Sequence, residues 1–373
     1  MSQPTRQGPL SGIRVLDLAT VIAGPGAARY LADYGADVLK IERPGTGDST
    51  RRMGFPDRAD GTSLFWKLVS RNKRCATLDL KSDEGRATLL RLASEAHVVV
   101  ENFRPGTLER LGLGPDVLLA ANPDLVLTRI TGFGQDGPYA GRPGFATIAE
   151  AMSGFAAING EPDGGPLLPP IALTDEITAL AAAFATMTAL WSGVGQVVDV
   201  SLLESLFQFM GPLPGAYAAQ GYLQPRMGSG LPYTVPRGTW QCADGAWVAV
   251  STSAPSIAAR VMELIGFGDR DDLATFAGRI AARDEIDARM AEWCGARPRA
   301  QVLAEFEAAH AAAAPVYDMA DIATDPHYAA RGAVVEVDGV SMPGLIARLS
   351  RTPGQIRWSG PALGEHDPPA WDG

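Results

Sequence analysis

The sequence predicts an α/β fold: a large, doubly wound domain followed by a smaller α+β domain. Three observations carry this prediction. Short runs of β-branched and aliphatic residues alternate with helical stretches across residues 13–210. Glycine punctuates the units, as Gly35 does after the first helical stretch. Beyond residue 211 the pattern gives way to a Pro-, Gly- and Tyr-rich stretch and then a hairpin signature.

Residues 13–18 read as a buried strand, Ala23-Gly-Pro-Gly26 as a small-residue turn, 27–34 as a helix and 36–42 as a second strand. A β-α-β unit of this kind pairs its strands in parallel with a right-handed crossover. The alternation continues with a strand at 75–80, a helix at 83–95, a Val-rich strand at 97–101 and another strand at 125–131. Residues 147–155 and the alanine-rich 175–191 read as helices, 196–200 as a strand and 202–210 as the start of a helix. Strand patterns at 238–242 and 247–251 flank Ala243-Asp-Gly245, which suits a hairpin turn. The expected organisation is a large domain over 1–211, a linker over 212–235 and a small α+β domain over 236–330. A C-terminal segment, 331–373, rejoins the large domain.

With 46% hydrophobic residues in 373, the chain can bury a sizeable core. No uninterrupted apolar run approaches the roughly 20 residues of a membrane helix, and residues 1–9 contain no apolar signal region. The three cysteines, Cys75, Cys242 and Cys294, are widely separated and odd in number, so the expectation is a reducing cytoplasm. A net charge of −10 argues against nucleic acid as a partner. Charge is uneven, however. Residues 1–110 carry 17 Lys+Arg against 13 Asp+Glu, a balance of +4, and the remainder carries 15 against 29, a balance of −14. All four lysines (Lys40, Lys67, Lys73, Lys81) lie in the first part. That part suits a small anionic ligand, although an Arg- and Ala-rich composition produces the same imbalance.

The first turn invites comparison with the dinucleotide fingerprint G-x-G-x-x-G, but Gly24-Pro-Gly26-Ala-Ala-Arg29 lacks the third glycine, which argues against nicotinamide binding. The turn still offers backbone N–H groups at a helix start. Arg43 opens Arg43-Pro-Gly-Thr-Gly-Asp48 directly after the second strand, where ligands of open parallel sheets bind. Asn72-Lys-Arg74 precedes the next strand and Lys81 follows it; Asn102-Phe-Arg-Pro-Gly106 and Arg110 follow the one after. Basic residues recurring at successive units suit phosphates, and Phe103 suits stacking on a flat ring. Each is equally compatible with a solvated loop. Asp175, just before the alanine-rich helix, is either an N-cap or a carboxylate nucleophile. The four histidines (His97, His310, His327, His366) have no metal-like or triad-like spacing, and there is no P-loop, Cys-x-x-Cys or His-Glu-x-x-His. No metal is expected.

These pieces together resemble the class III CoA-transferase family, whose branches include formyl-CoA transferase, carnitine CoA-transferase and α-methylacyl-CoA racemase. The resemblance runs nearly end to end. It is carried by Leu10-Ser-Gly-Ile-Arg-Val-Leu-Asp17, by Gly35-Ala-Asp-Val-Leu-Lys-Ile-Glu-Arg43 with Gly47-Asp48, and by Asn72-Lys-Arg74 with Leu78-Asp-Leu-Lys81. Glu101-Asn-Phe-Arg-Pro-Gly106, Gly132-Phe-Gly-Gln-Asp-Gly-Pro138 and Gly195-Gln-Val-Val-Asp199 continue it, followed by Asp325-Pro326 with Arg331-Gly332 and by Leu363-Gly-Glu-His366.

The resemblance implies a Rossmann-like large domain in an interlocked homodimer, and transfer of coenzyme A from an acyl-CoA thioester to a free carboxylic acid. It implies Asp175 as the covalent nucleophile. Arg43, Leu78, Lys81, Asn102, Phe103 and Arg110 match positions that contact coenzyme A, and Val21, Ile22 and Ala23 match the segment at the thioester end. Coenzyme A is then a cosubstrate, with no permanently bound cofactor. Gly228-Ser-Gly230 resembles a loop that covers the site, but is shorter and less glycine-rich. Two other functions are compatible with the scaffold: an α-methylacyl-CoA racemase-type isomerase and a non-catalytic acyl-CoA-binding protein. The racemase branch carries a His where this chain has Phe145, in Gly144-Phe-Ala146, and a Glu where it has Ala254. Retention of Asp175 argues against a purely binding role.

Overall fold

The computed structural model describes residues 8–371. By contact density the chain forms two compact units. One comprises residues 1–155, 168–211 and 327–373; the other comprises 156–167 and 212–326.

The larger unit is built on β1 (Arg14–Asp17), β2 (Asp37–Glu42), β3 (Lys73–Thr77), β4 (Val98–Glu101), β5 (Val126–Thr131) and β6 (Gln196–Ser201). All neighbours are parallel, in the order β3-β2-β1-β4-β5-β6. Its helices are α1 (Ala23–Asp33), α2 (Leu64–Val69), α3 (Asp83–Ser94), α4 (Thr107–Arg110), α5 (Pro115–Ala121), α6 (Ala146–Met152), α7 (Phe155–Ile158, running out of the unit), α8 (Leu173–Ser192) and α9 (Leu202–Phe207). This is the expected mixed α/β fold with a Rossmann-like sheet. The strand order reverses between β1 and β4, so the carboxyl ends of those strands bound the crevice where such sheets bind ligands.

Two apolar layers sandwich the sheet. On one face Val15, Val38, Val98, Val126 and Ile130 pack against Ala27, Ala28, Leu31 and Ala182 of α1 and α8. On the other, Leu16, Leu39, Ala76, Val99 and Leu127 pack against Leu89, Leu92, Leu108 and Leu118 of α3, α4 and α5. The alternation of even and odd strand positions between these lists is the period-2 pleat of a strand buried on both faces. The 20-residue α8 has the length and apolarity of a membrane span, but packs on α1, β5 and β6 as a core helix does.

The third strand begins two residues earlier than the sequence suggested, at Lys73. Lys73 is fully buried because its ammonium has a carboxylate partner inside the unit. Beyond a hairpin of Val334–Val337 and Val340–Pro343, the chain runs without regular structure along the exposed side of β3. There Asn72 N donates to Trp358 O at 3.1 Å, His366 N to Cys75 O at 2.9 Å, and Thr77 N to Asp367 Oδ1 at 2.6 Å. The edge strand is thereby closed to pairing with another chain.

In the smaller unit, β7 (Arg237–Gln241), β8 (Trp247–Ser251) and β9 (Ala313–Pro315) form an antiparallel sheet, with the expected hairpin between β7 and β8. Trp240, Val248, Val250, Ile286, Trp293 and Phe306 form its core. The stretch read as a linker contains a helix, Leu213–Gln220, capped by Gly221 at φ 64°.

Candidate active site

The chain between β1 and α1 is held by buried charges. Asp17 and Lys73 are both fully buried, with Lys73 Nζ 2.7 Å from Asp17 Oδ2. Lys40, also fully buried, lies 3.3 Å from Asp48 Oδ2 and 3.7 Å from Asp17 Oδ1. These side chains spend their remaining hydrogen bonds on the turn. Asp17 Oδ1 accepts from Ala19 N at 3.0 Å, Lys40 donates to the Ala19 carbonyl, Asp48 Oδ1 accepts from Val21 N at 3.4 Å, and Lys73 donates to the Pro25 carbonyl at 2.7 Å. From β4, Asn102 closes a two-bond clamp on Thr20: Oδ1 accepts from Thr20 N at 2.7 Å and Nδ2 donates to Thr20 O at 2.6 Å.

The clamp has a visible consequence. Val21 sits at φ 67°, a conformation that costs a β-branched residue about 1–3 kcal/mol and persists only where the surroundings over-determine it. Ile22 is then the N-cap of α1 and Ala23 its first residue, so the helix starts inside the segment read as a turn. Pro25 is tolerated there because an N–H in the first turn has no intrahelical partner to lose. Burial opposes the Lys40 charge, but Asp17, Asp48 and Glu42 outweigh it and raise its pKa. At Lys73 burial prevails and, with Lys40 nearby, lowers the pKa despite Asp17.

Asp175 occupies the third position of α8, not the N-cap; Ala172 is the N-cap and makes no side-chain capping bond. The helix is pressed close to α1, since a Cβ on Gly26 would lie 2.9 Å from Ala179 Cβ. The carboxylates around Asp175 are already engaged. Buried Glu150 of α6 accepts from Thr174 Oγ1 at 2.8 Å. Glu176 accepts from Arg29 and from the Tyr30 hydroxyl, both at 3.0 Å. Asp175 itself has no hydrogen-bond or ion-pair partner among the described residues. Burial, then the charges of Glu150 and Glu176, push its pKa up to about 6. A carboxylate so placed is poorly stabilised as an anion yet still mostly ionised at pH 7, which makes it more nucleophilic than a solvated one. The rate with limiting acyl-CoA is therefore expected to fall about tenfold per pH unit below about 6, read from kcat/KM between pH 4.5 and 8. A profile flat to pH 5 contradicts this.

The other expected contact residues follow the carboxyl ends of adjacent strands. Arg43 follows β2 and is exposed. Leu78 follows β3, its N–H donating to Glu42 O at 2.9 Å, and packs with Phe103 on the same apolar layer. Lys81 is exposed beyond it. Asn102 and Phe103 follow β4, the Phe103 N–H bound to Glu101 Oε2 at 2.7 Å. Arg110 ends α4, exposed and held by Thr107 Oγ1 at 2.8 Å. Asn102 is bonded to Thr20, just before the Val21–Ala23 segment, and Leu78 and Phe103 pack on one apolar layer. Arg43, Lys81 and Arg110 follow the carboxyl ends of three strands of the one sheet, β2, β3 and β4.

Sequence reading missed the roles of Asp17, Lys40, Asp48 and Lys73. Of the four lysines in the basic N-terminal region, Lys40 and Lys73 are consumed by internal carboxylates and Lys67 is paired with Asp57 and Asp60. Asn72 and Arg74 are likewise structural: Asn72 Nδ2 donates to Asp33 at 3.0 Å and Arg74 pairs with Asp37 at 2.8 Å. The available signal was a Lys inside an otherwise apolar strand, Val38-Leu-Lys-Ile41, which requires a buried counter-charge.

The family model described as CoA-transferase family III matches residues 10–367. The succinyl-CoA–L-malate CoA-transferase beta subunit of Chloroflexus aurantiacus is 41% identical over 98% of this chain and 94% of its own. The succinate–glutarate CoA-transferase of Agrobacterium fabrum is 36% identical over 97% of this chain and 95% of its own. A crystal structure of a CAIB/BAIF family protein from Brucella suis superposes with a TM-score of 0.85 at 33% identity, covering 96% of this chain and 97% of that one.

Proposed function

The chain belongs to CoA-transferase family III and is a CoA-transferase, and we propose that it moves coenzyme A between short dicarboxylic acids with Asp175 as covalent nucleophile. The observation that carries this reading is the Asp175 carboxylate, unpaired and with its pKa raised, at the start of a helix packed on α1. The relatives named above act on succinyl-CoA, malate, succinate and glutarate, which supports the dicarboxylic class.

The Asp175 carboxylate attacks the thioester carbonyl, the C–S bond breaks, and the CoA thiolate leaves a mixed anhydride. The thiolate then attacks the aspartyl carbonyl, releasing the donor acid and leaving an aspartyl-CoA thioester. The acceptor carboxylate attacks that thioester and expels the thiolate, which finally attacks the acceptor acyl carbonyl of the second anhydride. Asp175 is regenerated and coenzyme A has changed partner. The thiolate is a good leaving group at both thioester steps. Backbone N–H groups at Ile22 and Ala23 supply the donors that developing oxyanions need, and the buried charges fix where they point. Arg43, Lys81 and Arg110 hold the phosphates, while Leu78 and Phe103 give the adenine an apolar bed.

The enzyme works as an interlocked homodimer in a reducing cytoplasm. Support for the dimer comes from the larger unit's apolar surface, where Phe145, Phe184 and Phe209 are well exposed and Trp191 is 93% exposed. Support for the compartment comes from three buried free cysteines. The test is incubation with succinyl-CoA and a panel of free acids, followed by mass spectrometry. New dicarboxylyl-CoA products are expected. Deuterium uptake at the α-carbon of a branched acyl-CoA without exchange would instead indicate the isomerase, and tight CoA binding without either reaction a binding protein.

A further inference from the structure

Two further carboxylates stand beside Asp175 at the start of α8, and they are not compensated alike. Glu176 is bound by the Arg29 guanidinium and the Tyr30 hydroxyl of α1, both at 3.0 Å. Glu150 of α6 is only 4% exposed and has no ion-pair partner among the described residues. Its Oε1 accepts from the Thr174 hydroxyl at 2.8 Å, which fastens α6 to the residue preceding Asp175. Burying a carboxylate without a counter-charge is costly. A glutamine here would accept the same Thr174 bond without that cost, so the fold gains nothing from the charge.

The group that feels the charge is Asp175. Other charged side chains on the elements packed around α8 are engaged elsewhere. On α1, Asp33 pairs with Arg71 at 2.6 Å. On β5, Arg129 is bound between Glu101 at 2.6 Å and Glu109 at 2.8 Å. On β6, Asp199 accepts from Gln135 N at 2.8 Å, and on α9 Glu204 accepts from Ser201 Oγ at 2.7 Å. The charges that act on Asp175 are those of Glu150, first, and Glu176.

We propose that Glu150 is a positioning residue of the transfer reaction, fixed by Thr174 beside the nucleophile so that its charge destabilises the Asp175 anion. The inference rests on the reading of Asp175 as nucleophile and assigns its activation to one neighbouring side chain. On attack, an Asp175 oxygen bonds to the thioester carbonyl carbon, the C–S bond breaks, and the electron pair leaves on sulfur. The negative charge passes from the aspartate to the thiolate, and the Asp175 carboxyl becomes half of an uncharged anhydride linkage. Repulsion from Glu150 is therefore present in the free enzyme and relieved as the reaction proceeds, which lowers the barrier.

The experiment uses the full chain with two substitutions, folding being checked by thermal melting. Glu150→Gln removes the charge and keeps the Thr174 bond; Thr174→Val removes the bond and keeps the charge. The readout is kcat/KM for succinyl-CoA between pH 4.5 and 8. Glu150→Gln is expected to move the acid limb down by about one pH unit and to slow transfer at pH 8 by about three- to tenfold. Its rate relative to wild type thus rises as pH falls. Thr174→Val keeps the limb at or above the wild-type position. A Glu150→Gln enzyme slowed equally at every pH, or one whose limb stays in place, overturns the proposal, as does a Thr174→Val enzyme whose limb falls as far. Exchange by Asp175→Asn contradicts the nucleophile reading itself, and melting then still decides on the pair. The rise in melting temperature that Asp175→Asn gives at pH 8 is expected to shrink in the Glu150→Gln background, and an equal rise in both overturns the coupling.

Discussion

Asp175→Asn is expected to abolish CoA exchange while making the protein more stable at neutral pH. The activity loss follows from the carboxamide's inability to form the anhydride; at least a 10³-fold drop in kcat is expected, as for other covalent nucleophiles. The stability gain follows from linkage. Asp175 has its pKa raised from 3.8 to about 6 by burial and by Glu150 and Glu176. A carboxyl whose folded-state pKa lies above its unfolded value stabilises the fold below the unfolded pKa and loses that contribution as pH rises through the folded one. Above pH 6 the native state therefore carries an unfavourable charge that asparagine lacks. The gain is roughly 1–2 kcal/mol at pH 8, after allowing for partial exposure, and it shrinks to nothing near pH 4. Thermal melts of both proteins at pH 4 and pH 8 check the sign. A variant no more stable than wild type at pH 8 contradicts the electrostatics assigned to the site.

The second large effect is expected at Lys73, which never needs to touch the substrate. Lys73→Met keeps the volume but leaves Asp17 without its 2.7 Å partner in a fully buried position. Removing one member of a buried pair costs about 3–5 kcal/mol, against a total stability of about 5–15 kcal/mol. The Pro25 carbonyl loses its donor as well, so the first turn of α1 loosens. The double variant Asp17→Asn/Lys73→Met is expected to be more stable than Lys73→Met alone, because the Asp17 charge, left with only Lys40 at 3.7 Å, is gone. It should nevertheless remain impaired in exchange, because methionine cannot replace the Lys73 hydrogen bond to the Pro25 carbonyl. Urea denaturation of Lys73→Met, Asp17→Asn and the double variant separates the contributions: additive costs, with the double variant the worst of the three, contradict a coupled pair.

What the sequence revealed divides along physical lines. The parallel sheet was legible because strands buried on both faces read as continuous apolar runs such as Val98-Val-Val100, bracketed by helical stretches. The start of β3 was not, since Lys73 and Arg74 look like solvated residues until Asp17 and Asp37 are placed beside them. At Asp175 local chemistry allowed a cap or a nucleophile. The helix start at Leu173 removes the capping role, and burial, then the flanking acids Glu150 and Glu176, raise its pKa. Glu150 lies 25 positions away, so no local window could have paired them. Val21 shows the same limit. Its positive φ is imposed by Asp48 and Asn102, which arrive from two other strand ends.

The most direct test of the central claim is to trap the covalent intermediate. The enzyme is mixed with succinyl-CoA without acceptor, quenched with hydroxylamine or borohydride, digested and analysed by mass spectrometry. The account expects an aspartyl hydroxamate, or the reduced residue, on the peptide carrying Asp175, formed only when succinyl-CoA is present and missing in Asp175→Asn. An adduct on any other residue, or full exchange activity in Asp175→Asn, contradicts it.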